Sequence, residues 1–347
     1  MFLDHLGAGE SLRQLIQLHA QQGLELGRVS FASHEQYGIY LESGEHDAAP
    51  AGRLRWGDVL PAVGDWVAAR KVDPSFALIE EVLPRRTQFS RTAAGTGGRE
   101  QVIATNIDLA IIVSGLDNDY NLRRIERYLV LTQESKAEAL IVLNKADLCN
   151  ECDERTASVR AIAPGSAVIL LNARQSVEPL RPLVEGKTIA LLGSSGAGKS
   201  TIANSLLGEQ RQQTGEVRGY DSRGRHTTTA RMLIPLPGGG ALIDNPGMRE
   251  LQLWASSESL EDVFAEVTML AANCRFADCS HTSEPRCAVQ EALQRGELDQ
   301  ARWRSYQKLA AELRHQFRCQ DVQAMAAEKK KWKAIHKAMR HHPKYNR

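Results

Sequence analysis

The feature that most constrains this chain is one glycine-containing stretch, Gly193-Ser194-Ser195-Gly196-Ala197-Gly198-Lys199-Ser200. It fits the phosphate-loop pattern G-x-x-x-x-G-K-[ST], which requires a strand before the loop and a helix after it. Residues 187–192 suit a buried strand, and a helical pattern begins at Thr201. In such a loop the backbone N–H groups face phosphate oxygens, Lys199 reaches the β- and γ-phosphates, and Ser200 ligates Mg²⁺. The sequence therefore predicts an α/β domain that binds nucleotide phosphates through residues 193–201.

Bulk composition places the chain among globular proteins. Its 347 residues suggest two or three domains, and 42% of them are hydrophobic. No apolar run reaches the length of a membrane span, and the N-terminus lacks a signal-peptide pattern. We therefore expect a cytoplasmic protein that does not associate with membranes.

Charge is distributed unevenly along the chain. Residues 301–347 carry 13 Lys or Arg against three acids, although the whole chain has a formal charge of only +1. Within this tail, Lys329–Lys333 surrounds Trp332, and Lys337 and Arg340 follow. Basic residues around an aromatic suit RNA contact, whereas the alternative is a solvated helix face.

Five short strand-like runs occupy the region after an amphipathic helix predicted at Met1–Gln22. The runs are Gly27–Ala32, Tyr37–Leu41, Arg53–Trp56, Asp65–Arg70 and Ala77–Leu83. Five strands in so short a stretch favour a small barrel such as the OB-fold. Such a barrel either binds RNA or only packs on its neighbour. The Arg-rich segment Pro84–Arg99 reads as a linker whose arginines either contact phosphate or are solvated.

A second motif, Asn144-Lys145-Ala146-Asp147, follows the apolar strand predicted at residues 139–143. Ligands bind at the carboxyl edge of open α/β sheets. A carboxylate at Asp147 accepts hydrogen bonds from guanine N1–H and the exocyclic amine, a pair that adenine lacks. Asn144 would hold the loop and the base edge, and the Lys145 stem would lie against the ring. After the next strand, Asn172-Ala173 occupies the place of the Ser-Ala pair that commonly contacts the base.

Two further motifs follow the phosphate loop. Thr227–Thr229 lies in a Gly-rich segment, and Thr228 would ligate Mg²⁺ beside the γ-phosphate. Asp244-Asn245-Pro246-Gly247 supplies D-x-x-G, in which Asp244 holds Mg²⁺ through water and the Gly247 N–H senses the γ-phosphate. Met248 stands where many GTPases carry a water-orienting Gln.

These motifs occur in a circularly permuted order, because Asn144–Asp147 and Asn172-Ala173 precede the phosphate loop. Together with the barrel and a later cysteine cluster, this order resembles the RsgA (YjeQ) family of GTPases. The resemblance implies three parts: an OB-fold barrel, a permuted α/β P-loop GTPase domain, and a mainly helical zinc-binding domain. Their boundaries are predicted as an N-terminal helix over 1–23, barrel and linker over 24–100, GTPase over 101–255, and zinc domain with basic tail over 256–347.

The resemblance also implies activity and partners. It implies GTP hydrolysis stimulated by the 30S ribosomal subunit, a role in late 30S maturation, contacts with 16S rRNA and a monomeric state. It makes His226 the candidate that orients the catalytic water, with Lys199 and Thr228 supporting the transferring phosphate. Alternatively, His226 is a loop residue that contacts rRNA. A further alternative is that the ribosome itself supplies or orders the catalytic group.

The cysteine cluster has the spacing C-x4-C-x-H-x5-C, which the family uses for one structural zinc ion. Its members are Cys274, Cys279, His281 and Cys287. Three thiolates and an imidazole form a closed tetrahedral site. We expect Cys149, Cys152 and Cys319 to be ordinary reduced thiols.

Two other functions fit parts of the sequence. The first is an RNA-binding assembly factor in which GTP is mainly structural. The second is a P-loop ATPase or kinase, against which Asn144–Asp147 argues because that motif reads guanine.

Overall fold

The structure, a computed structural model, describes residues 2–20, 23–33, 36–55, 59–92, 100–208, 231–244 and 254–340, without the side chains of 18–20, 320–321 and 323–340. The chain divides into two compact units. The first comprises Met1–Ser90 and Val102–Leu251, and the second comprises Arg91–Gln101 and Gln252–Arg347. The four domain boundaries drawn from the sequence stay predictions.

The N-terminal segment forms two helices, α1 (Phe2–His5) and α2 (Glu10–Ala20), rather than the single predicted helix. Gly7 separates them with a φ of +90°, a left-handed conformation that ends a helix. Leu3 and Leu6 are buried, so the first short helix is fixed by packing rather than by its own length.

Five strands of the first unit close into the predicted barrel. They are β1 (Glu25–Ala32), β2 (Tyr37–Leu41), β3 (Gly44–Pro50), β4 (Trp66–Lys71) and β5 (Phe76–Val82). The strand order β1-β2-β3-β5-β4 returns to β1, where Gly27 pairs with Val67. Val29, Ile39 and Ile79 belong to the apolar cluster inside it.

The prediction of a strand at Arg53–Trp56 is wrong. Gly52–Arg55 forms a short helix, α3, and the missing barrel strand is β3. The β3 sequence combines glycine, proline, two alanines and three polar residues and has little intrinsic strand preference. It is a strand because both of its edges are paired: Ala48 lies opposite Tyr37 of β2 and opposite Ala77 of β5.

The rest of the first unit alternates strands and helices. Two strands, β6 (Gln88–Thr92) and β7 (Glu100–Thr105), form a separate small sheet, and the residues of each strand are divided between the two units. The remaining elements are β8 (Leu109–Gly115), α4 (Leu122–Ser135), β9 (Glu138–Asn144), α5 (Cys152–Ile162), β10 (Ala167–Leu171), α6 (Arg181–Val184), β11 (Thr188–Leu192), α7 (Lys199–Leu207), β12 (Arg231–Pro235) and β13 (Ala241–Asp244).

Five of these strands form a parallel sheet in the order β10-β9-β8-β11-β13, and β12 adds to it antiparallel. The sheet continues into the barrel, because Phe31 of β1 pairs with Met232 of β12. The carboxyl ends of the parallel strands lie at one edge. That edge carries Asp244 and the residues that follow Gly115, Asn144 and Leu192.

A buried arginine also joins the barrel to the parallel sheet. Arg28 of β1 is only 1% exposed and lies over the Trp66 ring, 4.7 Å from its centroid. Its guanidinium donates to Thr188 Oγ1 at 2.7 Å, at the start of β11, and to the carbonyl oxygens of Leu6 and Asn106. Burial lowers the pKa of Arg28 to about 10. The barrel therefore inserts one cation into the base of the parallel sheet.

Two arginines of the predicted linker are engaged within the protein. Arg85 makes a bidentate ion pair with the fully buried Asp65, at 2.8 Å for each bond. Arg86 pairs with Asp108 at 2.9 Å. Residues 93–99 of the linker lie outside the described part of the chain.

The second unit is mainly helical, with α8 (Ser257–Val263), α9 (Ala265–Ala272), α10 (Ala288–Arg295) and α11 (Gln300–Arg340). Arg302 of α11 donates to Glu266 at 2.7 Å and to the Val263 carbonyl oxygen, and it stacks on Phe264 at 4.0 Å. Among the helices in the described ranges, none combines the length and apolar character needed to cross a bilayer.

Candidate functional site

The phosphate loop connects β11 directly to α7, as the sequence predicts. Gly193 and Gly198 have φ values of +144° and +104°, a region that side chains other than glycine rarely adopt. Both positions also lack room for a side chain. A Cβ on Gly193 would lie 2.2 Å from the Val113 carbonyl oxygen, and one on Gly198 would lie 2.1 Å from Asn144 Nδ2. The two neighbouring strands thus dictate glycine at both ends of the loop.

Lys199 occupies the first position of α7 and is 9% exposed. Its ammonium group donates to the carbonyl oxygens of Gly193 at 2.7 Å and of Ser194. The cation is therefore held at the loop that the sequence assigns to the phosphates. Ser200 and Thr201 follow in the first helical turn and are half-buried, whereas Ser195 and Gly196 are exposed.

Asn144 joins three of the predicted site segments. Its side-chain Nδ2 donates to the carbonyl oxygen of Ala197 at 2.9 Å, and its Oδ1 accepts from the Ala173 N–H at 3.0 Å. Asn144 is 4% exposed, so both hydrogen bonds are shielded from water. The side chain is engaged in holding the phosphate loop and the Asn172-Ala173 turn together.

The other residues of the second motif lie at the same sheet edge. Lys145 has a left-handed backbone with φ +63°, and Ala146 and Asp147 belong to a short 3₁₀ turn. The Asp147 side chain is exposed and accessible to a ligand. Asn172 Oδ1 accepts from the Arg174 N–H at 3.2 Å, which shapes the turn after β10.

Two acidic residues that the sequence reading did not single out also contact the motifs. Asp117 pairs with the Lys145 ammonium group, and Asp119 accepts a hydrogen bond from the Ser194 hydroxyl. The hydrogen bond from Lys145 holds the pKa of Asp117 below its ordinary value. The sequence did contain a signal for these two residues. Asp117 and Asp119 come just after a buried parallel strand, and ligands bind at the carboxyl edge of such sheets.

Asp244 ends β13, which runs parallel to β11 with Ala190 opposite Ile243. The D-x-x-G aspartate therefore leaves the same sheet edge as the phosphate loop. Gly247, His226 and Thr228, which were predicted for γ-phosphate sensing, water orientation and Mg²⁺ ligation, lie outside the described residues.

The predicted zinc ligands converge in the second unit. The ligand atoms of Cys274, Cys279, His281 and Cys287 all lie within 4.8 Å of one another. The Cys274 and Cys287 sulfurs are 3.8 Å apart, and His281 Nδ1 is 3.5 and 3.4 Å from them. Two thiolates about 2.3 Å from a tetrahedral zinc would be separated by about 3.8 Å, so the cluster fits the ion.

The surroundings act in opposite directions on two thiols of this cluster, since burial raises the pKa of Cys279 to about 11. Burial opposes charge on Cys274, but the backbone N–H groups of Val289 and Ala288, at the start of α10, outweigh it and lower the pKa of the thiol. Gln290 Nε2 donates to the His281 carbonyl oxygen at 2.6 Å and fixes the left-handed turn at His281. Elsewhere in the chain, Cys149, Cys152 and Cys319 are free thiols.

Comparison with known proteins gives consistent matches. A family model described as RsgA GTPase matches residues 82–254. A second model, described as ABC transporter, matches residues 182–335, a span that contains the phosphate loop but not Asn144–Asp147.

Two relatives described as small ribosomal subunit biogenesis GTPase RsgA align with nearly the whole chain. The one from Opitutus terrae is 45% identical over 357 residues, covering 98% of this chain and 97% of that protein. The one from Syntrophotalea carbinolica is 43% identical over 349 residues, covering 96% of each. Among solved structures, YjeQ from Thermotoga maritima matches with a TM-score of 0.63 and 26% identity, over 84% of this chain and 98% of that one.

Proposed function

Because the chain belongs to the RsgA GTPase family, we propose that it hydrolyses GTP in maturation of the small ribosomal subunit. The observation that carries the proposal is the Asn144 bridge, which joins the guanine-reading motif to the phosphate loop. One buried side chain thus links the segment proposed to bind the base to the segment proposed to bind the phosphates. This arrangement suits a ligand that has both parts, a guanine nucleotide.

The described residues supply the contacts that GTP and GDP require. The loop N–H groups and Lys199 bind the phosphates, and Asp147 accepts from the guanine edge. The Asn172-Ala173 turn, which is fixed by the hydrogen bond from the Ala173 N–H to Asn144 Oδ1, would form the base side of the site. Residues 193–201, Asn144–Asp147 and Asn172-Ala173 are thus proposed as one nucleotide site.

We assign the Mg²⁺ ion of this reaction to Ser200 and Thr228, with Asp244 acting through water. Ser200 and Asp244 fit this role because they follow the ends of adjacent parallel strands, β11 and β13. An ion held by these residues would supply positive charge to the β- and γ-phosphates. Gly247 completes the contact with the γ-phosphate through its N–H.

Positioning a water molecule for attack falls to His226 in this proposal. The residue after D-x-x-G is Met248, whose thioether side chain cannot accept a proton or orient water as Gln does. An imidazole beside the threonine motif supplies that capacity.

The proposed partners are the 30S subunit and its 16S rRNA, bound by a monomeric cytoplasmic protein. Support comes from the relatives' description as small ribosomal subunit biogenesis GTPases, from the OB-like barrel and from the basic α11 tail. Cys274, Cys279, His281 and Cys287 hold one structural zinc ion that stabilises the second unit.

The test is steady-state GTP turnover by the full-length chain alone, with purified 30S subunits and with 50S subunits. We expect slow turnover alone, strong stimulation by 30S subunits and none by 50S subunits. Tight GTP binding with no hydrolysis under any condition would instead support an assembly factor in which GTP is structural.

A further inference from the structure

The five residues Leu116–Tyr120, here called the acidic loop, connect β8 to α4. In the sheet order, β8 lies between β9, which carries the guanine motif, and β11, which carries the phosphate loop. The acidic loop therefore leaves the binding edge between the two motifs. Its first residue is tied to the guanine motif, because the Leu116 N–H donates to the Asn144 carbonyl oxygen at 2.8 Å.

One carboxylate of the acidic loop contacts the guanine motif directly. Asp117 Oδ2 accepts from the Lys145 ammonium group. Both side chains are partly buried, 29% and 27% exposed. The last residue of β8, Gly115, packs closely against this ion pair. A Cβ on Gly115 would lie 2.6 Å from Asp117 Oδ1 and 3.6 Å from Lys145 Cδ.

The acidic loop is rigidly held around this contact. The Asp119 N–H donates to Asp117 Oδ1 at 3.1 Å. The Asp119 carboxylate in turn accepts from Ser194 of the phosphate loop and pairs with Arg124 of α4. Asp117 is thus held by Lys145 on one carboxylate oxygen and by the Asp119 N–H on the other, and Asp119 is itself bonded to the phosphate loop.

We propose that Asp117 is a positioning residue for the nucleobase, acting through Lys145. By fixing the ammonium end, Asp117 presents the aliphatic stem of Lys145 to the face of the guanine ring. The inference rests on the proposed function, since it needs a guanine nucleotide in the site.

The energetic basis is preorganisation. A lysine side chain has several rotatable bonds, and ordering it upon binding would cost part of the affinity. With Asp117 in place, the Lys145 side chain is already ordered before the nucleotide binds. The ring contact is the same with GTP, GDP and the transition state, so losing it raises KM and leaves kcat unchanged.

The experiment is a double-mutant cycle in the full-length chain with GDP binding as the readout. The variants are Asp117→Asn, Lys145→Met and their combination. Lys145→Met keeps an apolar stem but removes the ammonium group on which Asp117 acts. Asp73→Asn is the matched control, because Asp73 is an aspartate in a barrel turn whose Oδ1 accepts from the Ser75 and Phe76 N–H groups.

We expect Asp117→Asn to weaken GDP binding about fivefold, as for the loss of a partly exposed ion pair with a positional role. In the Lys145→Met background, Asp117→Asn should cause no further change in GDP affinity. KM for GTP should rise equally, with kcat and the melting temperature of the nucleotide-free chain unchanged, and Asp73→Asn should bind GDP like the wild type.

Equal losses in both backgrounds, or no loss in either, would contradict the inference, because Asp117 would then not act through Lys145. If Asp117→Asn fails to fold, Asp117→Glu is compared in the same two backgrounds by the same criterion. Failure of the wild-type chain to bind GDP would contradict the proposed function itself, which separates the two conclusions.

Discussion

The side-chain amide of Asn144 donates a hydrogen bond to the carbonyl oxygen of Ala197 over 2.9 Å. This bond joins the end of β9 to the phosphate loop 53 residues later in the chain. The same amide accepts from the Ala173 N–H, so one side chain sets the spacing of three loops. The binding edge therefore has a defined shape before any nucleotide enters.

Replacing Asn144 with Ala should reduce both stability and nucleotide affinity. Two buried hydrogen bonds are lost, each contributing about 1 kcal/mol, so the free energy of unfolding should fall by about 2–3 kcal/mol. Urea denaturation and GDP binding measure the two effects. Asn172→Ala is the control, since the hydrogen bond recorded for its side chain is a local one to the Arg174 N–H. A similar fall in the free energy of unfolding in both variants would contradict the bridging role.

Arg28 provides a test of the junction between barrel and sheet. Arg28→Lys should destabilise the chain by about 3 kcal/mol, because a buried charge remains with fewer hydrogen bonds. Arg28→Met removes the charge and leaves acceptors unpaired, which should cost only about 1–2 kcal/mol. Chemical denaturation gives both values. The control is Arg70→Met, which removes an exposed arginine of the same barrel and should be nearly neutral. If Arg28→Met were less stable than Arg28→Lys, the result would contradict our interpretation that the buried charge dominates the cost.

Zinc should bind the full-length chain at one ion per molecule, and Cys287→Ser should abolish it. Cys319→Ser is the matched control, because Cys319 lies on α11 away from the ligand set. The Trp303 ring packs edge-on against His281, 5.8 Å away, so chelation should change its fluorescence. A Trp303→Phe variant identifies that signal. Zinc content is measured by atomic emission. Equal zinc content in Cys287→Ser and Cys319→Ser would contradict the site.

His226→Ala should lower 30S-stimulated kcat by about a hundredfold, the usual scale for removing a group that positions or deprotonates the nucleophile. GDP affinity should stay within about twofold, since the imidazole contacts water rather than the nucleotide in this proposal. His315→Ala, an exposed histidine of α11, is the control. Single-turnover hydrolysis on 30S subunits makes the measurement, and undiminished turnover would exclude His226 from the reaction.

The sequence was most informative where a fixed spacing meets a specific chemistry. The phosphate loop, Asn144–Asp147 and the Cys274–Cys287 cluster each demand particular residue types, so the fold class and the convergence of the three cysteines with His281 were predictable. The β3 strand was not predictable, because Gly44–Pro50 consists of residues with low strand preference and becomes a strand only through pairing on both edges. Propensity cannot reveal a partner that lies elsewhere in the chain.

Two functional relationships were hidden for a similar reason. Arg28 reads as an ordinary charged residue of a barrel strand, yet it donates to Thr188, 160 positions away in the sequence. Asp117 reads as a loop residue until the strand order β9-β8-β11 places it between the two nucleotide motifs. Both depend on tertiary neighbours that no local pattern encodes.

The central claim, that this sheet edge reads guanine, rests on Asp147. An aspartate accepts from guanine N1–H and its amine, whereas an asparagine there can donate to the 2-carbonyl of xanthine. Asp147→Asn should therefore lose at least about a hundredfold in kcat/KM for GTP, since a site built for these hydrogen bonds rejects a mismatched partner strongly. It should gain 30S-stimulated turnover of xanthosine triphosphate. An Asp147→Asn variant that hydrolyses GTP like the wild type and gains nothing with xanthosine triphosphate would contradict the account.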